Sequence, residues 1–249
     1  MRAMNYIMSL MLMLFCVAYV SSVQAEKAVG RVVWVKGTFT AEGPNGNRSL
    51  ERAGIFYEKD TLVTNASSQA QVVFSDNSLM TFREGTRFRV DQYNFKPAGG
   101  GSNNYAMSLA QGGFRTITGA IGNQQPQNYH IKTPVATIGV RGTEFIAYYN
   151  NGRLYVGRIK GKPCVYDPIK RIQVCLTAEM PFVIIVAGQG SEVSSTMPAE
   201  LGGSDSLVIV PAIIQPPPGG GGGGFGGGGG GGVIGAPPGG GEVSSFCVQ

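Results

Sequence analysis

Residues 71–90 read QVVFSDNSLMTFREGTRFRV, and three pairs of apolar side chains stand in them two residues apart: Val72/Phe74, Met80/Phe82 and Phe88/Val90. Side chains of an extended chain alternate between the faces of a sheet, so both members of a pair share a face. The pairs recur every eight residues, and the Asp76-Asn77 and Glu84-Gly85 dipeptides between them are turn formers. A helix would need apolar positions at a 3.6-residue period, which the stretch lacks. Strands this short, at this pitch, suit a meander or the rungs of a β-solenoid, and an all-β, solenoid-like fold is expected.

The same pattern continues on both sides. In FIAYYNNGRLYVG (145–157), Phe145, Ala147 and Tyr149 alternate before Asn151-Gly152, and Leu154 and Val156 after it. Asn-Gly supplies the positive φ angles of a type I′ turn, so this is a β-hairpin. Further strands are expected at Val32–Phe39, Met107–Leu109, Phe114–Ile117 and Phe182–Ala187. The last, FVIIVA, is apolar on both faces and reads as an interior strand. Trp34, the only tryptophan, is expected in the core. In TFREGTRFRVDQYNFK (81–96), aromatics alternate with Arg83, Arg87 and Arg89, which period two sends to opposite faces, ring inward and cation outward.

The ends differ from this middle. Arg2, an apolar run from Ile7 to Val20 and the small-residue ending at Ala25 have the three-part form of a secretory leader. Cleavage is expected after Ala25, carrying Cys16 away and leaving an exported chain, periplasmic or secreted, with no stable membrane insertion. Beyond Pro198 come LVIVPAIIQPPP and a glycine tract broken by Phe225. Such a segment buries too little side chain to offset a backbone ordering cost of about 1–2 kcal/mol per residue. The expected organisation is a leader over 1–25, a β domain over 26–197 and a low-complexity, mostly disordered tail over 198–249. LVIVPAIIQ could also serve as an edge strand.

Chemistry is harder to find. The net charge is +5 and charged residues are 14% of the chain, too few and too dispersed for a nucleic-acid footprint. His130 is the only histidine, and no serine or cysteine stands in a nucleophile motif beside it. Neither an enzyme nor a resident metal or cofactor is expected. Export makes Cys164–Cys175 a plausible disulfide, since Asp167-Pro168 between them can turn one strand back on the next. Two free thiols are the alternative; Cys247 has no obvious partner.

The stretch TPVATIGVRGTEF (133–145) reads physically as two strand segments joined through glycines. Pro134 can start or edge a strand, Gly139 and Gly142 suit a bulge or a close backbone approach, and a bulge there would pair Arg141 with Glu144 across the bend. The block Thr133, Pro134, Gly139, Arg141, Gly142, Thr143, Glu144 and Phe145 also closely resembles the signature of the FecR domain of bacterial envelope proteins. The resemblance runs from about 30 to 195: 57–90 with Asp60-Thr61-Leu62 and Asp76-Asn77-Ser78 at its turns, MSLAQGGFRT (107–116), and VIIVAGQGSEV (183–193).

That resemblance implies an all-β domain without enzymatic activity. In the iron-uptake regulators that name the family, it lies in the periplasm and relays receptor occupancy through a membrane helix to a sigma-factor-binding segment. Here a cleaved leader and a glycine-rich tail are expected in the places of those parts, so a stand-alone exported binding or scaffold module in envelope signalling is expected. Its expected partner is an envelope protein, such as a sensor or receptor, with no nucleic acid. The alternatives are a module for cell-wall or surface polysaccharide and a membrane-tethered regulator that keeps its N-terminus.

Overall fold

The computed structural model describes residues 27–44, 46–97, 101–202 and 207 of the chain. The expected leader, Cys247, the glycine tract and the part of LVIVPAIIQ beyond Leu207 lie outside them. Among the described residues, seventeen strands join in one hydrogen-bonded sheet with two branches. The first runs β4 (Ile55–Tyr57), β1 (Ala28–Lys36), β6 (Gln69–Phe74), β7 (Leu79–Phe82), β9 (Asn104–Ile117), β12 (Glu144–Asn150), β13 (Arg153–Lys160), β16 (Phe182–Val186) and β17 (Gly190–Ser194). The second runs β3 (Gly46–Ser49), β2 (Phe39–Gly43), β5 (Thr61–Thr64), β8 (Arg87–Asn94), β9, β10 (Tyr129–Lys132), β11 (Thr137–Gly139), β14 (Cys164–Asp167) and β15 (Ile172–Cys175). All these pairings are antiparallel except β9 with β10.

The branches share β9, Asn104–Ile117. Its first half pairs with β8 and β10, its second with β7 and β12. The strand changes branch at Gly112, where φ is +81° and a Cβ would stand 2.5 Å from the Thr86 Cα. Only glycine tolerates both conditions. Thr86 holds the bend, its hydroxyl accepting from Gly113 N at 3.0 Å and lying 2.9 Å from Gly113 O.

The bend turns one branch onto the other across an aromatic core. Phe82 meets Phe88 at 5.3 Å between ring centres, Phe88 meets Phe114 at 5.5 Å, and Phe74 meets Tyr105 at 5.2 Å, each pair joining the two branches. The six side chains paired in residues 71–90 are all buried there. The all-β class is thus as expected. Pairings between strands three apart in chain order recur, as in β2–β5–β8, β9–β12, β11–β14 and β13–β16. They form antiparallel ladders, and a solenoid coil is not established by them.

Three local expectations are corrected. Val32–Phe39 is not one strand, because Gly37 takes φ +80° and sends β1 and β2 into different branches. Met107–Leu109 and Phe114–Ile117 belong to one strand, since Gly112 bends the ladder without ending it. Trp34 is only half-buried. A register shift between Val32 and Trp34 packs Val35 against the core instead, and the Trp34 indole N–H donates to Gln71 Oε1 at 2.6 Å.

The one α-helix among the described residues, α1 (Ala120–Gln124), follows β9 and is held by the Asp76-Asn77-Ser78 turn. Ser78 N and Ile121 N donate to the Asp76 carboxylate at 3.0 and 3.2 Å, Ala120 N donates to Asp76 O at 2.8 Å, and Gly119 N to Ser78 Oγ at 2.8 Å. Asn77 sits at φ +64°, a conformation Asn tolerates. Burial raises the Asp76 carboxyl above the usual carboxylate range despite these hydrogen bonds. A raised folded-state pKa contributes stability that is fully present below the unfolded value near 3.8 and is lost as pH rises through the folded one. Wild-type stability measured against Asp76→Asn by urea unfolding should therefore rise as pH falls from neutral towards that value. A difference that falls over the same range would contradict the assignment.

Candidate functional site

The signature block folds as a hairpin, a corner and the start of a strand. Thr133 closes the β10–β11 turn: its N–H donates to Ala136 O at 2.8 Å, and its hydroxyl accepts from Ala136 N at 3.0 Å. Pro134 sits in that turn, outside the ladder. Ile138 and Phe145 are fully buried. Gly142 takes φ +59°, its N–H donating to Gly122 O at 3.2 Å. Thr143 exchanges backbone contacts with Thr118, donating to Thr118 Oγ1 at 2.9 Å and accepting from Thr118 N at 3.0 Å. The corner is thus seated on α1, and the ladder irregularity lies not at Gly139 or Gly142, where a bulge was expected, but between Glu144 and Phe145, where the β12–β13 register shifts.

Glu144 does not pair with Arg141. Its Oε1 accepts from Arg115 Nε at 3.0 Å and Nη2 at 2.6 Å, and Arg115 Nη1 donates to Leu207 O at 3.3 Å. The register gives the reason: Arg115 of β9 stands opposite Ile146, two residues along β12 from Glu144, so the two charged side chains are diagonal neighbours on one face. Arg141 precedes the left-handed Gly142 and is exposed; among the described residues no carboxylate pairs with it.

Arg141 instead borders a groove of about 480 Å³ on the second branch, lined also by His130, Gly139, Lys162, Cys164 and Tyr166. Register explains its floor. His130 stands opposite Gly139, Gly139 opposite Cys164, and Cys164 opposite Cys175, forming one row across four strands. Cys164 and Cys175 are joined in the expected disulfide, their Cα atoms 4.0 Å apart. Asp167 shapes the hairpin between them: Ile169 N and Lys170 N donate to Oδ1 at 2.8 and 3.1 Å, and Ser191 N to Oδ2 at 2.6 Å. Burial would raise the Asp167 carboxyl, but these donors outweigh it and leave its pKa lowered.

The groove is cationic. Arg141 and Lys162 are its charged lining residues and no carboxylate lines it, and within residues 126–175 the only acids, Glu144 and Asp167, are satisfied by the partners just described. The arginines of residues 81–96 are occupied by contrast. Arg87 forms a two-bond pair with Glu42 at 2.5 and 3.1 Å, Arg89 lies 3.3 Å from Asp91, and Arg83 stacks 4.4 Å over the Tyr148 ring. Among the described residues no group of three His, Cys, Asp or Glu side chains is placed to hold a metal. His130 lies on the exposed face of β10.

Packing runs past the boundary expected at 197. A short 3₁₀ turn at Ala199–Leu201 buries Leu201 beside Ile146 and Tyr155, and Tyr155 Oη donates to Glu200 Oε1 at 2.8 Å. Leu207 is buried as well.

Residues 60–162 match the family model described as FecR protein, the family read from the 133–145 block. Two crystal structures of a protein provisionally described as an anti-sigma factor, from Parabacteroides distasonis, are similar at 17% and 18% identity with TM-scores of 0.41 and 0.42. In both, 54% of this chain is covered and it spans 57% of the other, little more than half its length. No curated protein matches.

The two arginines should separate in the laboratory. Arg115→Ala leaves a mostly buried carboxylate unpaired and should lower stability by about 1–2 kcal/mol in urea unfolding. Arg141→Ala should leave the midpoint unchanged, whereas a larger loss at Arg141 than at Arg115 would refute the pairing.

Proposed function

We propose that this chain, whose residues 60–162 carry the FecR domain, is an exported, non-enzymatic protein-binding module that takes part in envelope signalling. The family match carries the reading. Supporting it are the leader-like N-terminus and the Cys164–Cys175 disulfide, a bond that persists in oxidising compartments. No helix among the described residues is long and apolar enough to cross a membrane. In this reading the recurring three-strand offsets are the rungs of a solenoid-like stack, and the domain of 26–197, with the packed residues just beyond it, is the unit that meets the partner. The stack offers a partner ladder edges as well as faces, because β3, β4, β15 and β17 each pair on one side among the described residues.

Formaldehyde cross-linking in the native host, followed by intact-mass and partner identification, tests this. The expected product is a periplasmic or secreted chain beginning at Glu26, oxidised at Cys164–Cys175 and cross-linked to an envelope protein. Recovery in the membrane with residues 1–25 retained would replace the proposal with a tethered regulator. Retention on cell-wall or surface polysaccharide without a protein cross-link would replace it with a glycan-binding module.

A further inference from the structure

Every described glycine outside the left-handed region but one has a packing reason to lack a side chain. At Gly30, Gly43, Gly54, Gly113, Gly119, Gly122, Gly157 and Gly202 an added Cβ would come within 3.0 Å of another atom, whereas at Gly139 the nearest is Tyr129 O at 3.9 Å. Gly139 has no positive φ either. A glycine inside a strand weakens it and exposes bare backbone, which is a cost without return unless something approaches that backbone closely. Gly139 lies in the floor of the cationic groove, between His130 and Cys164 in the cross-strand row.

Arg141, two residues on, is the second member of the block that no internal contact explains. It is exposed and has no carboxylate partner among the described residues, although the chain engages Arg48, Arg87, Arg89 and Arg115 in ion pairs. Lys162 lines the same groove without a carboxylate partner among those residues, and Tyr166, 46% exposed, adds an open ring.

We propose that this groove is the docking site for an acidic segment of a partner protein, whose backbone passes over Gly139 while its carboxylates meet Arg141, Lys162 and His130. The inference rests on the protein-binding reading above and names the partner's chemistry. Charge complementarity selects an acidic ligand, since among the described residues no carboxylate lines the groove. The one-residue gap in side chains at Gly139, the carbon surface of Tyr166 and Cys164, and the outer edge of β15 beside them, which pairs with no strand among the described residues, suit an extended peptide rather than a sugar chain.

The test is fluorescence anisotropy on the full chain from an oxidising compartment, at physiological salt, with a fluorescein-labelled peptide alternating glutamate and valine. A labelled polygalacturonate fragment serves as the glycan comparison. The peptide should bind, and Gly139→Val and Arg141→Glu should each weaken it roughly tenfold or more. Arg141→Lys should retain most of the affinity. Gly139→Val should melt at or above the wild-type temperature, because a β-branched side chain enters open space in a strand. Absent peptide binding, binding indifferent to both substitutions, or tighter binding of the polygalacturonate would overturn the proposal. If the in-cell partner is still cross-linked by the Gly139→Val and Arg141→Glu chains, the groove assignment falls while the protein-binding reading stands.

Discussion

One strand serves two ladders, and the rest of the structure follows from how it does so. β9 pairs with β8 and β10 in its first half and with β7 and β12 in its second. A straight strand would carry both sets of partners in one plane and leave the aromatic side chains of each branch facing water. Gly112 at φ +81°, seated against Thr86, turns the strand so that Phe82, Phe88 and Phe114 meet. Burial of such rings supplies the main favourable term in folding, so the conformational freedom of one glycine decides whether the two branches share a core.

The signature block divides along the same physical line. Thr133, Gly142, Thr143, Glu144 and Phe145 each answer to a need of the fold: a hairpin turn, a left-handed corner, a seat for α1, a carboxylate for Arg115 and a core ring. Gly139 and Arg141 answer to none. A weakened strand and a cation without a carboxylate partner are small costs, but among the described residues nothing offsets them, and they fall together in one groove beside Lys162 and His130. In this account the block is partly architecture and partly surface, the architecture holding the surface in place.

Much of the fold was legible because period two is a strong local signal: Val72, Phe74, Met80, Phe82, Phe88 and Val90 are buried as their alternation requires. The disulfide was legible because Asp167-Pro168 marks a hairpin that sets its cysteines opposite each other. What escaped depends on contacts distant in sequence. Arg141 is three residues from Glu144 and Arg115 twenty-nine, yet the ladder brings the distant one alongside. Gln111-Gly112-Gly113 reads as the end of a strand, although a single positive φ bends the ladder without breaking it. Leu201 and Leu207 were submerged in a composition that turns towards glycine and proline, and only their burial in the fold identifies them. The groove had no sequence signal beyond Gly139 and Arg141, because its row of residues comes from four strands.

The account turns on the claim that glycines of this domain do two kinds of work, and chemical denaturation of Gly112→Ala and Gly139→Ala measures that claim directly. At Gly112 a methyl group meets the Thr86 backbone in a left-handed conformation, and stability should fall by about 1–3 kcal/mol. At Gly139 it enters open space in a strand, and stability should hold or rise by about 0.5–1 kcal/mol. Opposite responses would support a fold bent at Gly112 around a groove left bare at Gly139; comparable losses at both positions would contradict it.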